Sequence, residues 1–475
     1  MSDAMILRII IAAGFGLVLG LMSYWSIRRG LRGRKKDGRR SYASFSYYGA
    51  LPFVLLIYGA LARLMLGDEA DPVLFTSLFS VAMSLTVYYV FLALLMPWLR
   101  RHISSWACGA LWLVPNVLYI LVRDNMRLPT PLLVIETSEG LMSALLVVWL
   151  AGFLLIMAWK TAEHLLFRRR VLKNAEKLKS PLWEEVFEWV CPKMNRPPLY
   201  RSREITTPLT IGLSAGNMVV VLPERDYTDD ELRLVLTHEA VHIARFDAVS
   251  KLGLVSMAAF CWFNPLVWLA IRRSAEDIEL SCDEAVTLGA DEAERRRYAD
   301  LILSSAGDER GFTTCLSARA ASLRYRLRQK IMRPAAKGSG ALLIGLAAFF
   351  LILSYGYTAF AYGGGTGEEL IFDGQDTSLY TVSDASCTDP EGLRDYIASL
   401  ELMELNGKYD LDLDGERHRL IVFDAPGDEG KQISLCFYDN IVEFRPLFVK
   451  LDLWAEYYYL PEGTDWERLD SFFAS

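Results

Sequence analysis

Two histidines lie four residues apart around a glutamate in the segment VLTHEAVHIARFD, residues 235–247. The whole chain has only five histidines in 475 residues. Upstream, Thr228 precedes Glu231 by three residues, the spacing of a helix-capping box, and apolar residues then recur at helical spacing. In such a helix His238 and His242 lie one turn apart on one face, so both imidazoles can bind a single metal ion.

Glu239, between the two histidines, lies beside this face and can accept a proton without ligating the metal. The pattern H-E-x-x-H is typical of zinc peptidases, in which zinc polarises a peptide carbonyl and the glutamate acts as general base. His238 and His242 are therefore predicted zinc ligands, and Glu239 is the predicted catalytic base. The alternative interpretation is a helix that carries both histidines without any metal.

A catalytic zinc site needs a third protein ligand and an open fourth position. The segment RRSAEDIELSCDEAV, residues 272–286, places Glu276, Glu279 and Asp283 on one helical face. Helical spacing alone does not choose between Glu276 and Glu279 as the ligand. The remaining histidines are poor candidates, because they flank predicted membrane spans or follow the last one: His102, His164 and His418.

The composition of the chain indicates which kind of structure positions these residues. With 52% hydrophobic residues and a mean hydropathy of +0.22, the chain resembles a membrane protein more than a soluble enzyme. Six windows are long and apolar enough to cross a bilayer: residues 5–27, 47–66, 73–99, 104–122, 141–159 and 341–362. The fourth window is interrupted by Pro115 and Asn116, so its assignment is the weakest of the six.

A seventh apolar window, residues 252–271, is also long enough to span a membrane. A span there would separate Glu279 from His238, and one zinc ion cannot be shared across a bilayer. We expect Asn264 and Pro265 to break this window into two shorter helices, because proline ends a helix. These helices would be buried against the protease core or lie at the inner membrane face.

Basic runs at residues 28–40, 100–102 and 167–179 follow the first, third and fifth spans, which places these loops in the cytoplasm. The N-terminus and the segment after the last span are then outside, and residues 167–340 are cytoplasmic. Residues 365–475 carry 25 acidic against 8 basic side chains, in agreement with a separate compartment. Cys387 and Cys436 could form a disulfide there, and unpaired buried thiols are an equal alternative.

The segment after residue 362 is acidic and rich in aromatic residues. Residues 393–405 are predicted as a helix, and several later segments alternate like strands, among them residues 418–425, 432–452 and 455–461. Residues 363–367, GGGTG, are predicted as a flexible linker. A small α+β domain fits this pattern.

Two segments in this order, HEAVHIARFD and FCWFNPLVWLAIRRSAEDIELSCDEAV, resemble the integral-membrane metallopeptidases of the BlaR/MecR antirepressor type. Residues 206–224 resemble the strands that precede the zinc helix in that family, and residues 313–334 its segment before the last span. The likeness covers about residues 202–362. It implies that Glu279, in E-x-x-C-D, is the third zinc ligand, and that Asp283 and Asp247 orient the ligand histidines.

The β-lactam sensors of this family carry a penicillin-binding domain built on an S-x-x-K nucleophile. About 110 residues follow the last predicted span here, and no serine beyond Tyr362 has a lysine three positions later. β-Lactam acylation is therefore not the expected input.

These observations predict a mostly α fold: polytopic membrane helices, a cytoplasmic gluzincin-like zinc protease domain and a small extracytoplasmic α+β domain. The predicted domains are residues 1–166 (about five spans), 167–340 (protease), 341–362 (last span) and 363–475 (sensor-like domain).

The predicted function is a zinc endopeptidase of signal transduction at the cell membrane, controlled by an extracytoplasmic ligand and cutting itself, a cytoplasmic repressor or both. The alternatives are a membrane quality-control or processing metalloprotease without sensing, and a receptor with a structural metal site. The other expected contacts are membrane lipid and a second copy in a homodimer. No direct contact with nucleic acid is expected, because anionic lipid explains the basic juxtamembrane runs.

Overall fold

The computed structural model describes residues 3–31, 57, 59–61, 63–65, 67, 70–115, 130–213, 216–304, 314–315, 338–407, 409, 417–425, 432–447 and 455–474. Its main helices are α1 Asp3–Leu31, α2 Ala70–His102, α3 Ser105–Leu113, α4 Glu139–Lys173, α5 Pro181–Val190, α6 Asp229–Arg245, α7 Asp247–Phe260, α8 Pro265–Val286, α9 Glu292–Ser304, α10 Ala341–Leu353, α11 Gly367–Leu370, α12 Pro390–Ala398 and α13 Trp466–Ser471. The strands are β1 Leu133–Glu136, β2 Glu176–Leu178, β3 Leu199–Ser202, β4 Leu209–Ile211, β5 Val219–Pro223, β6 Thr314–Cys315, β7 Thr358–Thr366, β8 Thr381–Val382, β9 Glu401–Leu405, β10 Arg419–Asp424, β11 Gln432–Phe437, β12 Ile441–Leu447 and β13 Glu456–Tyr459. Helices predominate, as predicted.

Three helices among the described residues are long and apolar enough to cross a membrane: Met5–Arg28 within α1, Ala70–His102 and Glu139–Lys173. They confirm the predicted spans at residues 5–27, 73–99 and 141–159, and the chain is a membrane protein. The predicted span at residues 47–66 lies largely outside the described residues.

The helices in two of the predicted spans, residues 104–122 and 341–362, are shorter than predicted among the residues that the structure describes. In the window 104–122 the described helix α3 is only nine residues long and is wholly buried, and residues 116–122 lie outside the described part. In the window 341–362 helix α10 ends at Leu353, and strand β7 begins at Thr358. Hydropathy does not distinguish an apolar helix from a buried strand. The predicted span therefore included the first residues of β7.

Helix α10 packs closely against α1 through glycines. A Cβ added to Gly345 would lie 2.7 Å from the carbonyl oxygen of Gly16, so only glycine allows this approach. Arg8 on α1 donates to the carbonyl oxygen of Ile352 at 3.0 Å and so satisfies a group at the end of α10. The first and last apolar segments of the chain therefore form one packed pair.

The break predicted at Asn264 and Pro265 is confirmed. Helix α7 ends at Phe260, and α8 begins at Pro265, where the missing N–H costs no helical hydrogen bond. The Asn264 side chain caps α8 by accepting a hydrogen bond from Leu266 N at 3.0 Å. The chain reverses here, so that the second half of α8 returns toward α6.

A five-stranded sheet precedes and flanks α6, in the order β2-β3-β5-β4-β6. Strands β4 and β5 lie in the segment 206–224, where short strands were expected. Strand β4 pairs antiparallel with β5 on one side and with β6 on the other. Apolar side chains of α5, α6 and β5 form the core between the sheet and α6, including Phe187, Val220 and Val241.

The C-terminal region is an eight-stranded sheet in the order β1-β7-β9-β13-β12-β11-β10-β8, with short helices packed on it. The sheet-containing character of this region is as predicted. Its first strand, β1, comes from the segment directly before membrane helix α4, and pairs in parallel with β7. The C-terminal sheet therefore includes a strand from the part of the chain assigned to the membrane region.

Two local predictions in this region were wrong. The glycines of residues 363–365 belong to strand β7, paired with β9, and not to a linker. The predicted helix 393–405 ends at Ala398, and residues 401–405 are strand β9 instead, because pairing with β7 and β13 overrides local helical propensity. Of the two alternatives left open for Cys387 and Cys436, the structure has free thiols and no disulfide.

Helix α2 contacts the C-terminal sheet at one end and the helix of the predicted third ligand at the other. The rings of Phe75 and Phe360 meet edge to face with centroids 5.0 Å apart. At the opposite end Arg100 Nε lies 2.8 Å from Asp277 Oδ1 on α8. These contacts are separated by 25 residues of helix, about 38 Å at 1.5 Å per residue.

Candidate metal centre

Helix α6 begins where the sequence predicts. Thr228 accepts a hydrogen bond from Glu231 N at 3.3 Å, and the Glu231 carboxylate accepts one from Thr228 N at 2.9 Å, which completes the capping box. The helix ends at Arg245, followed by Phe246 with φ 54°, and α7 starts at once. This turn keeps the end of α6 next to the start of α7.

His238 and His242 lie one turn apart on the buried face of α6 and are almost completely inaccessible to solvent. Their Nε2 atoms are 3.0 Å apart, so the two imidazoles point at a common position. Two nitrogen ligands of one zinc ion, each about 2.0–2.1 Å from the metal, are separated by a similar distance. The predicted convergence of the two rings on one face is present.

Helix α8 brings Glu279 to the same position. Its Oε2 lies 3.8 Å from Nε2 of His238 and 3.6 Å from Nε2 of His242. Glu276, which spacing alone left open, faces elsewhere: its Oε2 lies 3.6 Å from Arg100, and its side chain is 38% exposed. The geometry therefore favours Glu279 over Glu276 as the third ligand.

Cys282, one turn further along α8, is a second candidate donor. His238, His242 and Cys282 form a buried group with potential ligand atoms within 4.8 Å of one another. The sulfur, however, lies 3.6 Å from Nδ1 of His238, on the opposite side of the ring from Nε2, and 3.7 Å from the His238 carbonyl oxygen. Because both Nε2 atoms face Glu279, we prefer Glu279 as the third donor.

Both histidines are oriented through their Nδ1 atoms. His242 Nδ1 lies 2.7 Å from Asp247 Oδ2, the residue expected to orient a ligand. His238 Nδ1 lies 2.7 Å from the Tyr298 hydroxyl, which donates to Asp283 Oδ1 at 2.9 Å. Asp283 itself is 3.8 Å from His238 Nδ1, so it acts on that ring through Tyr298. Such partners fix the ring orientation of metal-ligating histidines.

Glu239 is buried beside the histidines and is held by a neighbouring strand. Thr210 Oγ1 on β4 donates to Glu239 Oε2 at 2.7 Å. Burial raises the pKa of Glu239 above its ordinary value, although the nearby histidines oppose this effect. A carboxylate with a raised pKa is better matched to accept and return a proton near neutral pH.

The electrostatics of the group favour a cation. Burial lowers the pKa of His238, but Cys282 and Glu279 outweigh this effect and raise it to about 9. Burial raises the pKa of Glu279, but Lys251 and His242 outweigh it and hold this pKa well below its usual range. The site therefore keeps a buried anion facing two imidazole nitrogens.

The donor set fits a zinc ion. Glu279 Oε2 is buried and accepts no hydrogen bond from any residue in the described part of the chain, although it faces both imidazoles. Two imidazole nitrogens and one carboxylate oxygen are a common ligand set of catalytic zinc, with one position left open.

Four residues near the site carried no recognisable sequence signal for their roles: Thr210, Lys251, Cys282 and Tyr298. Tyr298 lies on α9 and Thr210 on β4, so only the tertiary fold brings them to α6. Cys282 is part of the E-x-x-C-D pattern, but the pattern predicted no role for it. Spacing within a single helix could not identify Thr210, Lys251 or Tyr298, because each lies on an element other than α6 and α8.

Comparison with known proteins gives a family for the region that contains this site. Residues 120–333 match the family model described as BlaR1 peptidase M56. The chain is 26% identical over 194 residues to the regulatory protein BlaR1 of Bacillus licheniformis, covering 40% of this chain and 32% of that protein. It is 24% identical over 173 residues to the methicillin resistance mecR1 protein of Staphylococcus aureus, covering 35% of this chain and 29% of that protein. The chain thus matches about a third of the length of these relatives.

Proposed function

We propose, on the premise that this chain is a BlaR/MecR-type membrane metallopeptidase, that it is a zinc-dependent endopeptidase whose activity is controlled from the other side of the membrane. The observation that carries the proposal is the convergence of His238, His242 and Glu279 on one position, with Glu239 beside it. Cleavage of a peptide that copies residues 306–325 of this chain, compared between wild type and Glu239→Gln, tests it.

His238, His242 and Glu279 would hold the zinc ion, which supplies Lewis acidity to polarise a peptide carbonyl. Glu239 takes the proton of the attacking water and passes it to the amine that leaves when the peptide bond breaks. Thr210 holds the Glu239 carboxylate in place for this transfer through the 2.7 Å hydrogen bond. Asp247 and Tyr298 bind the Nδ1 atoms and so leave both Nε2 atoms turned toward the position that the ion would take.

Strand β4 supports a peptide substrate for this site. The strand that carries Thr210 pairs antiparallel with Thr314–Cys315, in the register Leu209↔Cys315 and Thr210↔Thr314. An extended peptide paired with β4 in this way would lie next to the strand whose Thr210 side chain contacts Glu239. We therefore propose that the segment after α9 is one substrate, and that a cytoplasmic repressor protein is the other candidate.

The connection between the C-terminal sheet and the site supports a sensing role. Strand β1 pairs with β7 and leads directly into α4, whose first turn is capped by Ser138. At the far end of α4, Arg168 donates to the carbonyl oxygen of Asn217 at 2.8 Å, in the connection between β4 and β5. One helix thus joins the C-terminal sheet to the connection that follows β4, the strand whose Thr210 contacts Glu239. We propose that an extracytoplasmic ligand of this sheet controls cleavage.

The proposed orientation has the C-terminal domain outside the cell and the metal centre in the cytoplasm. We expect a membrane-impermeant maleimide to label Glu462→Cys in intact cells and to label Glu204→Cys only after permeabilisation, both in a Cys387→Ser background. Both positions are exposed on their own domains, so accessibility within the fold is matched. Equal labelling of both variants in intact cells would contradict the proposed orientation.

A further inference from the structure

A lysine on α7 contacts the proposed third ligand. Lys251 Nζ lies 3.1 Å from Oε1 of Glu279, with side chains 15% and 6% exposed. The other carboxylate oxygen, Oε2, is the one that faces the two imidazoles. The two oxygens of Glu279 are therefore distinguished by their surroundings: one binds an ammonium group, and the other faces the proposed metal position.

The start of α7 brings two supporting groups to the site. Asp247 and Lys251 are four residues apart, so they lie one turn apart on one helical face. Asp247 binds His242, and Lys251 binds Glu279, which belong to different helices. The first turns of α7 thus hold one proposed ligand from α6 and one from α8.

We propose that Lys251 is a positioning residue that fixes Glu279 as a ligand through a single oxygen, Oε2. This inference rests on the proposed zinc site. The ammonium group binds Oε1 and so opposes rotation of the carboxylate that would place both oxygens toward the metal. It also compensates the buried carboxylate charge, which would otherwise be costly so far from water.

Zinc affinity, measured by competition with a chelator in the detergent-purified full-length chain, tests this role without relying on activity. We expect Lys251→Met to weaken zinc binding by about 10–100-fold, the usual effect of losing a group that orients a metal ligand. With Co²⁺ as the probe, the visible absorption bands should change in Lys251→Met, because the mode of carboxylate ligation changes. Lys251→Arg should restore most of the affinity, since it keeps a cationic donor.

The matched control is Lys160→Met on α4. Lys160 Nζ lies 2.8 Å from Glu163 in a similar lysine–glutamate pair that contacts no proposed ligand. Its loss should leave the zinc affinity and the Co²⁺ spectrum unchanged. If Lys251→Met does not purify as a monodisperse protein, Lys251→Gln serves in the same measurements, with the same expected weakening.

The outcomes separate this inference from the proposed function. Zinc bound by the wild type, with the same affinity and Co²⁺ spectrum in Lys251→Met, would overturn the positioning role and leave the metal site intact. A correctly folded wild type that binds no zinc would overturn the proposed function itself. Weakened binding that Lys251→Arg does not restore would also count against positioning through Glu279.

Discussion

Glu239→Gln should slow peptide cleavage about 10²–10⁴-fold while leaving zinc bound. Glutamine keeps the size of the side chain and can still accept the hydrogen bond from Thr210, but it cannot accept the proton of the attacking water. General acid–base catalysis contributes about 10²–10⁴-fold to rate, so a loss of this size is expected. The probe is a synthetic peptide copying residues 306–325, which surround strand β6, with products identified by mass spectrometry.

Glu231→Gln is the matched control, because it makes the same chemical change on the same helix. Glu231 belongs to the capping box at the exposed start of α6 and contacts none of the proposed ligands. Cleavage by Glu231→Gln should remain within a few-fold of wild type. Undiminished cleavage by Glu239→Gln would remove Glu239 from the mechanism. A zinc-loaded wild type that leaves this peptide intact would rule out the segment after α9 as a substrate.

Arg100→Met should be among the most destabilising substitutions in the chain. Asp277 is fully buried on α8, and Arg100, only 9% exposed, binds it with Nε at 2.8 Å. Trp112 Nε1 also donates to Asp277 Oδ2, at 2.8 Å, and this hydrogen bond would remain without the arginine. Removing one partner of a buried ion pair leaves an uncompensated charge, and the expected loss is about 3–5 kcal/mol in the free energy of unfolding.

Denaturant titration of the detergent-solubilised protein measures this loss. Arg203→Met is the control, because its ion pair with Glu224 is largely exposed, and it should cost less than about 1 kcal/mol. Adding Asp277→Asn to Arg100→Met should recover part of the stability, since the buried charge is then removed. A loss in Arg100→Met no larger than in Arg203→Met would show that this pair does not hold α8 against α2.

The metal centre could be predicted to the extent that its residues share one helix. His238, Glu239 and His242 are fixed relative to one another by helical geometry, and the capping box located the start of α6. Spacing on a single helix could not choose between Glu276 and Glu279, because that choice depends on where α8 lies relative to α6. Lys251 and Tyr298 reach the site through the folding of α7 and α9, so no local pattern marked them.

In the C-terminal region, too, local sequence patterns could not predict the strands that depend on pairing with distant segments. The alternating pattern identified β10 to β13, but β1, β7 and β9 depend on pairing between distant segments. Residues 358–362 are apolar and continue the hydropathy of α10, and only their pairing with β1 and β9 makes them a strand. The sequence therefore predicted the presence of an α+β region, and missed the strand that joins it to α4.

The zinc content of detergent-purified protein, measured for wild type beside Glu279→Ala and Glu276→Ala, decides whether the proposed metal site exists. The proposed site predicts about one zinc ion per chain in wild type and in Glu276→Ala, and loss or strong weakening in Glu279→Ala. Retention of zinc in Glu279→Ala with loss in a Cys282→Ala variant would instead identify the cysteine as the third ligand. Folded wild-type protein without zinc would contradict the account.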